Sequence, residues 1–210
     1  MSYYVDPDSL FPIGSQIRAN AQKLNNSAVE ASETLEKMHE TWDGKRWNIL
    51  QNLWNELQAS LNGICEYLVS DAPTTMETIS ENYANGDARS VGTPLRAAAT
   101  GVAKISLGSL NIKLSDADAT EEKKLRDVLD VKFDEIINDL NAIEANFNDT
   151  IPHWQGPAAT EARNKFEDTK AKILSSISNM RTSVTTCIDD AINDLKTVEE
   201  QNKSSSKKAF

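Results

Sequence analysis

Thr41-Trp42-Asp43-Gly44-Lys45-Arg46-Trp47 decides the fold, because its centre returns later in the chain as His153-Trp154-Gln155-Gly156-Pro157-Ala158-Ala159. Each Trp-x-Gly tripeptide lies between long stretches of helical periodicity, with no turn signal of equal strength nearby. Two antiparallel helices joined by a few residues need a position without a Cβ, for positive φ or for close backbone approach, and glycine supplies it. A tryptophan at the same place covers the open end of the hairpin and buries about 150–250 Å².

Upstream of the first tripeptide, Asp6-Pro7 reads as a helix N-cap followed by proline in the first turn. Apolar or small residues then recur in steps of three and four at Leu10, Ile13, Ile17, Ala21, Leu24, Ala28, Ala31, Leu35 and Met38. That spacing keeps them on one helix face. Downstream, the pattern resumes at Leu50, Trp54, Leu57, Leu61, Ile64 and Leu68. Pro73 is expected to end or kink this helix near Asp71-Ala72, since it lacks an N–H and clashes with the preceding turn. A short helical piece from Thr74 to about Ala84 follows, and Tyr83-Ala-Asn-Gly-Asp87 closes the half.

The second tripeptide has the same surroundings. Ser115 to Asp118 offers an N-cap cluster, and Leu125, Leu129, Phe133, Ile136, Leu140, Ile143 and Phe147 form a seam that Ile151-Pro152 ends. Gly156-Pro157 starts the last helix, with Phe166, Ile173, Ile177, Met180, Val184, Cys187, Ala191 and Leu195 on its apolar face. Laying Trp42 on Trp154 superimposes the two halves: Trp54 falls on Phe166, Leu61 on Ile173, Leu68 on Met180, Leu35 on Phe147 and Tyr83 on Leu195. One such hairpin leaves an apolar face exposed, whereas two bury it against each other. The expected fold is therefore all-α: two antiparallel helical hairpins, residues 6–87 and 118–200, forming an intramolecular four-helix bundle, with a linker over 88–117 and a flexible tail over 201–210. The linker favours turns at opposite ends of the bundle. Turns at the same end need a connection of only ~2–8 residues, whereas a chain crossing a 30-residue helix must span ~45 Å.

Composition narrows the function. The net charge is −10 and both helical halves are acidic, which disfavours nucleic acid as a partner. No apolar run is long enough for a membrane span, and Met1-Ser-Tyr-Tyr-Val-Asp-Pro7 has neither the basic nor the apolar region of a cleavable signal peptide. Cys65 and Cys187 occupy apolar helix positions without metal or redox spacing and are expected to be buried thiols. Trp47 and Trp54 read as core or interface residues. A di-iron bundle needs two Glu-x-x-His motifs. Glu36-Lys-Met-His39 supplies one, and His153 has no Glu three residues before it, so no metal, no cofactor and no catalytic residue is expected.

Helix, Trp-x-Gly, helix, then Tyr-x-x-x-Asp: in this order the chain resembles the WXG family, the early-secreted-antigen-like helical hairpins exported by bacterial type VII secretion systems. Trp42-Asp43-Gly44 and Trp154-Gln155-Gly156 match the family's turn motif, and Tyr83 with Asp87 matches its C-terminal export motif. The resemblance covers both halves but not the linker, and the chain looks like a family dimer fused into one polypeptide. It implies a non-enzymatic protein made in the cytoplasm and secreted without a cleavable signal peptide. It also implies a composite signal of Trp154, Gly156, Tyr83 and Asp87, with Trp42 and Gly44 as the second turn, read by the secretion ATPase. The second copy of the export motif is degenerate, with Leu195 in the tyrosine's place and Glu199 after it. An alternative is an adaptor or chaperone that pairs with a larger, co-secreted effector. A plain helical scaffold is the third reading, and further homodimerisation stays open.

Overall fold

A computed structural model describes residues 4–41, 45–95 and 119–208. The Trp42-Asp43-Gly44 turn and most of the expected linker lie outside the described residues. The elements run β1 (Tyr4–Val5), α1 (Pro7–Thr41), α2 (Lys45–Glu66), a π-helical segment (Tyr67–Asp71), α3 (Ala72–Gly86), α4 (Ala119–Asp149), β2 (Trp154–Gln155) and α5 (Pro157–Lys208). The fold is all-α, and among the described residues two short strands accompany the helices.

The four seams read from the sequence form the core. Leu10 through Met38 on α1, Leu50 through Leu68 on α2 and the π segment, Leu129 through Phe147 on α4, and Phe166 through Cys187 on α5 are all buried. Leu125 and Ala191, at the ends of their seams, are partly buried against this core. Each fully buried aliphatic or aromatic side chain stabilises the fold by about 1.5–3 kcal/mol. Trp54 and Phe166, superimposed by the repeat, are among the largest fully buried residues. Both cysteines are buried and free, and burial pushes the Cys65 thiol up to about 12.

Polar contacts give the helix directions. Glu30 pairs with Lys132, Ser27 donates to Asp139 and Asn20 donates to Asn146, so numbers fall along α1 as they rise along α4. Arg46 pairs with Asp194 while Tyr67 donates to the Ala162 carbonyl, so α2 and α5 are antiparallel as well. The α4–α5 turn sits at the start of α1: β1 pairs antiparallel with β2, Tyr4 opposite Gln155 and Val5 opposite Trp154. These two strands are absent from the sequence reading.

Of the end or kink expected near Asp71-Ala72, the end does not occur, and the regular helix is interrupted by the π-helical segment Tyr67–Asp71. The chain stays helical through a widened turn, with the Ala72 N–H donating back to the Tyr67 carbonyl, and Pro73 falls in the first turn of α3, where its missing N–H costs least. The carbonyl four residues before Pro73, that of Val69, accepts instead from Arg18 Nε at 3.0 Å. Nor does helix end at residue 200: α5 continues to Lys208, with residues 199–205 exposed.

The start of the expected linker is also ordered. After α3 the Asp87, Ala88 and Arg89 N–H groups return to the carbonyls of Ala84 and Asn85, with Ala88 at φ +57°. The chain then runs back along α3. Glu81 accepts from the Ser90 hydroxyl and the Val91 and Gly92 N–H groups, and Glu77 accepts from the Leu95 N–H. Gly92 is required here: a Cβ would stand 2.6 Å from Phe11 Cζ, and the residue has φ +154°.

Candidate recognition site at the Trp154 end

The second turn is built from backbone outward. Thr150 is fully buried; its hydroxyl donates to the Phe147 carbonyl at 2.6 Å and accepts from Arg163 at 3.0 Å. Its own carbonyl accepts the N–H groups of both His153 and Trp154, which folds the chain back on α4. Gly156 has φ +133°, a conformation that glycine adopts freely, and its carbonyl accepts the Thr160 N–H as α5 begins. The glycine of the motif thus performs the backbone role expected of it. Phe147 and Phe166 stack below the turn with centroids 4.9 Å apart.

The N-terminus ties onto this turn. The Asp6 N–H donates to the His153 carbonyl at 2.8 Å, and the Asp6 carboxylate meets His153 Nδ1 at 3.0 Å. Hydrogen bonding from the Ser9 hydroxyl, assisted by His153 and the Ser9 N–H, holds the Asp6 carboxyl below the usual range. Arg89 binds both oxygens of Asp8, which draws the end of α3 to the start of α1.

The sequence-derived site residues separate by exposure. Trp154 is 4 % exposed and its indole packs inward. Tyr83 is 51 % exposed, and the Asp87 side chain, at the C-terminal cap of α3, is more exposed still. Trp154 lines a cleft with the start of α3, at Ala72 and Thr75, whereas Tyr83 and Asp87 stand at its far end. Thr75 and Tyr83 are ~12 Å apart along the helix axis at 1.5 Å per residue. All four residues, Trp154, Gly156, Tyr83 and Asp87, belong to the same end of the bundle. Trp42 and Gly44 lie outside the described residues; next to them, His39 and Trp47 stack at 4.3 Å and close α1 on α2. The side chain of Leu195 is also outside the described residues.

Thr150, Asp6 and Tyr67 were missed as members of this end. Thr150 carries no motif, and Asp6 gave only its capping signal. Tyr67 falls one residue before the seam position Leu68; burial, with the nearby charges of Asp71 and Glu161, pushes its hydroxyl up to about 12. Among the described residues there is no group of three or more His, Cys, Asp and Glu side chains that could hold a metal, and no helix long and apolar enough to cross a membrane. Comparison with known proteins gives no matching family, no matching characterised protein and no matching solved structure.

Proposed function

We propose that this chain is a non-enzymatic protein exported by a bacterial type VII secretion system, with Trp154 and Gly156 shaping one half of its signal and Tyr83 and Asp87 presenting the other to the secretion ATPase. The observation that carries this proposal is the occurrence of two Trp-x-Gly tripeptides in one chain, each between long helices, with an exposed Tyr83 and Asp87 at the same end as the second turn. Burial divides the roles: Trp154 sets the shape of the turn, and Tyr83 and Asp87 are the side chains a reader touches.

The test is secretion from a type VII-competent host, with protein quantified in medium and cells. Tyr83→Ala and Asp87→Ala are the informative variants, because both side chains are exposed; Trp154→Ala also removes core and confounds export with folding. Wild type is expected in the medium only when the secretion ATPase is present, with both variants retained in cells as folded protein. Wild type held in the cytoplasm under every condition overturns the proposal. The adaptor reading draws on Val128 and Val131, which are 46 % and 54 % exposed and three residues apart on α4, a pattern suited to a partner helix. Stable co-purification with one co-expressed effector, lost in Val128→Lys, is what that reading requires.

A further inference from the structure

A cleft of about 230 Å³ opens where the π-helical segment faces the start of α5. Its walls are Tyr67, Asp71 and Thr75 on one side, Glu161 and Lys165 on the other, and Trp154 at the end. Tyr67, Asp71 and Thr75 are four residues apart in sequence, as are Glu161 and Lys165, so each set lines one helix face. Alanines between them leave the space open. The volume lies below the ~300–1,000 Å³ of metabolite and drug sites and suits a single side chain.

The chemistry selects a cation. Two aromatic rings and two carboxylates line the cleft against one ammonium. Lys165 Nζ already stands 4.0 Å from the centre of the Tyr67 ring, so this ring face accepts positive charge. The negative field is felt inside the cleft, since Asp71 and Glu161 both help to push the Tyr67 hydroxyl up. The other half of the repeat has no such arrangement: Asn179, Ser183, Ile49 and Leu53 stand where Tyr67, Asp71, Glu161 and Lys165 do.

We propose that this cleft seats the guanidinium of an arginine side chain presented by a partner protein. A guanidinium is flat enough to lie along aromatic faces and carries enough N–H donors to meet two carboxylates, whereas a compact ammonium does neither as well. Lys165 is the internal competitor that such a guanidinium displaces. The proposal deepens the export reading by naming the group through which a partner grips the Trp154 end, and it rests on that reading only for the partner's identity.

The test uses the full-length protein and a small probe, so its outcome is separate from export. N-acetyl-arginine-amide is titrated while the backbone amides of Trp154, Glu161 and Asp71 are followed by NMR, with the neutral citrulline amide as control. Saturable shifts in the millimolar range are expected for the arginine probe and none for citrulline. Asp71→Asn with Glu161→Gln, both exposed positions, is expected to weaken binding at least about tenfold, and Lys165→Met to strengthen it. Equal shifts with citrulline, no saturable shift with arginine, or undiminished affinity in the folded double variant overturns the proposal. The double variant is also scored for export: a protein that binds arginine but is never secreted keeps the cleft and sinks the export reading.

Discussion

The two halves of the chain make the same interhelical contact with an arginine, from opposite helices. In the register that lays Trp42 on Trp154, Arg18 coincides with Asp130 and Val69 with Arg181. In the first half Arg18 on α1 donates to the Val69 carbonyl at 3.0 Å. In the second, Arg181 on α5 donates to the Asp130 carbonyl at 2.8 Å. The contacts differ in burial and in cause. Pro73 offers no N–H to the Val69 carbonyl four residues before it, Arg18 donates to that carbonyl from α1, and the buried charge of this donor needs a buried counter-charge. Glu77 provides it, accepting from Arg18 Nη1 at 2.6 Å and Nη2 at 3.1 Å, with the two side chains 8 % and 1 % exposed. In the second half Thr185 stands where Pro73 does, nothing interrupts the helix, and Arg181 shares a solvated surface with Asp134. The proline and the buried ion pair thus occur together in one half and are both missing from the other.

The largest effect should come from breaking the buried pair. Glu77→Ala strands a buried guanidinium and removes the acceptor for Ser15 and the Leu95 N–H, and an uncompensated buried charge costs about 3–5 kcal/mol. Urea denaturation of wild type and variant measures this directly. A loss under 1 kcal/mol shows that water reaches Arg18 and that the contrast between halves is not one of burial. Next in size is Gly14→Ala. A Cβ at Gly14 would lie 3.1 Å from the Pro73 carbonyl oxygen and 3.3 Å from Met76 Cβ, so α1 and α3 would have to separate, at about 1–3 kcal/mol. Arg126 occupies the equivalent position of the second half, and Arg126→Ala should shift stability by no more than about 0.5 kcal/mol.

These contacts mark the boundary of what was legible. The seams were readable because helical period survives divergence, and each is buried except at its outer ends, where Leu125 and Ala191 are partly exposed. Gly156 was readable because a tight turn leaves few alternatives. Arg18 and Glu77 were not: they are 59 positions apart, and a charged residue beside a seam normally reads as solvated. The hint was indirect, in a glycine inside α1 and a proline inside the returning helix, whose joint meaning needs the helices side by side. Pro73 reads as an end or a kink because local sterics say so, and the outcome, a π-helical turn with Arg18 on the Val69 carbonyl, depends on the neighbouring helix. β1 is two residues long, too short to alternate, and its pairing with β2 is set by the bundle bringing Asp6 to His153. At the candidate site, the exposed Tyr83 and Asp87 stood out as a motif. The cleft beside Trp154 did not, because its carboxylates come from α5 and from a π-helical turn that no local pattern announced.

Breaking the second half's version of the contact is the control for the first. Arg181→Met removes an ion pair to Asp134 and a bond to the Asp130 carbonyl, but its side chain is 31 % exposed and that of Asp134 65 %. Surface pairs contribute about 0–1 kcal/mol, and the methionine keeps much of the packing over Phe133. Denaturation midpoints should therefore differ little from wild type, and less in high salt. A loss comparable to that of Glu77→Ala would mean that the arginine link itself, rather than the proline and the burial that accompanies it, holds each half together.

The smallest effect is local and depends on pH. Glu81 has no acidic counterpart in the second half, where Asn193 stands and α5 runs on as helix to Lys208, so among the described residues a segment returns along its last helix in the first half alone. The Ser90 hydroxyl, with the Val91 and Gly92 N–H groups, holds the Glu81 carboxyl below its ordinary value. A depressed value in the folded state means that the charged form is the one that binds the segment. The attachment is fully present above the unfolded glutamate value, about 4.3, and is lost as pH falls through the lower folded value. NMR of the Val91 and Gly92 amides from neutral to acid pH should show their hydrogen bonds released below the usual carboxylate range, while the helical amides of α5 around Asn193 keep theirs. Glu81→Gln should abolish the titration, because a neutral amide keeps only one oxygen to accept from three donors. If both amides instead keep their shifts through the whole range, the bonds of Leu95 to Glu77, Arg18 and Thr74 hold the segment without Glu81, and the ordered start of the linker is a consequence of the buried Arg18–Glu77 pair.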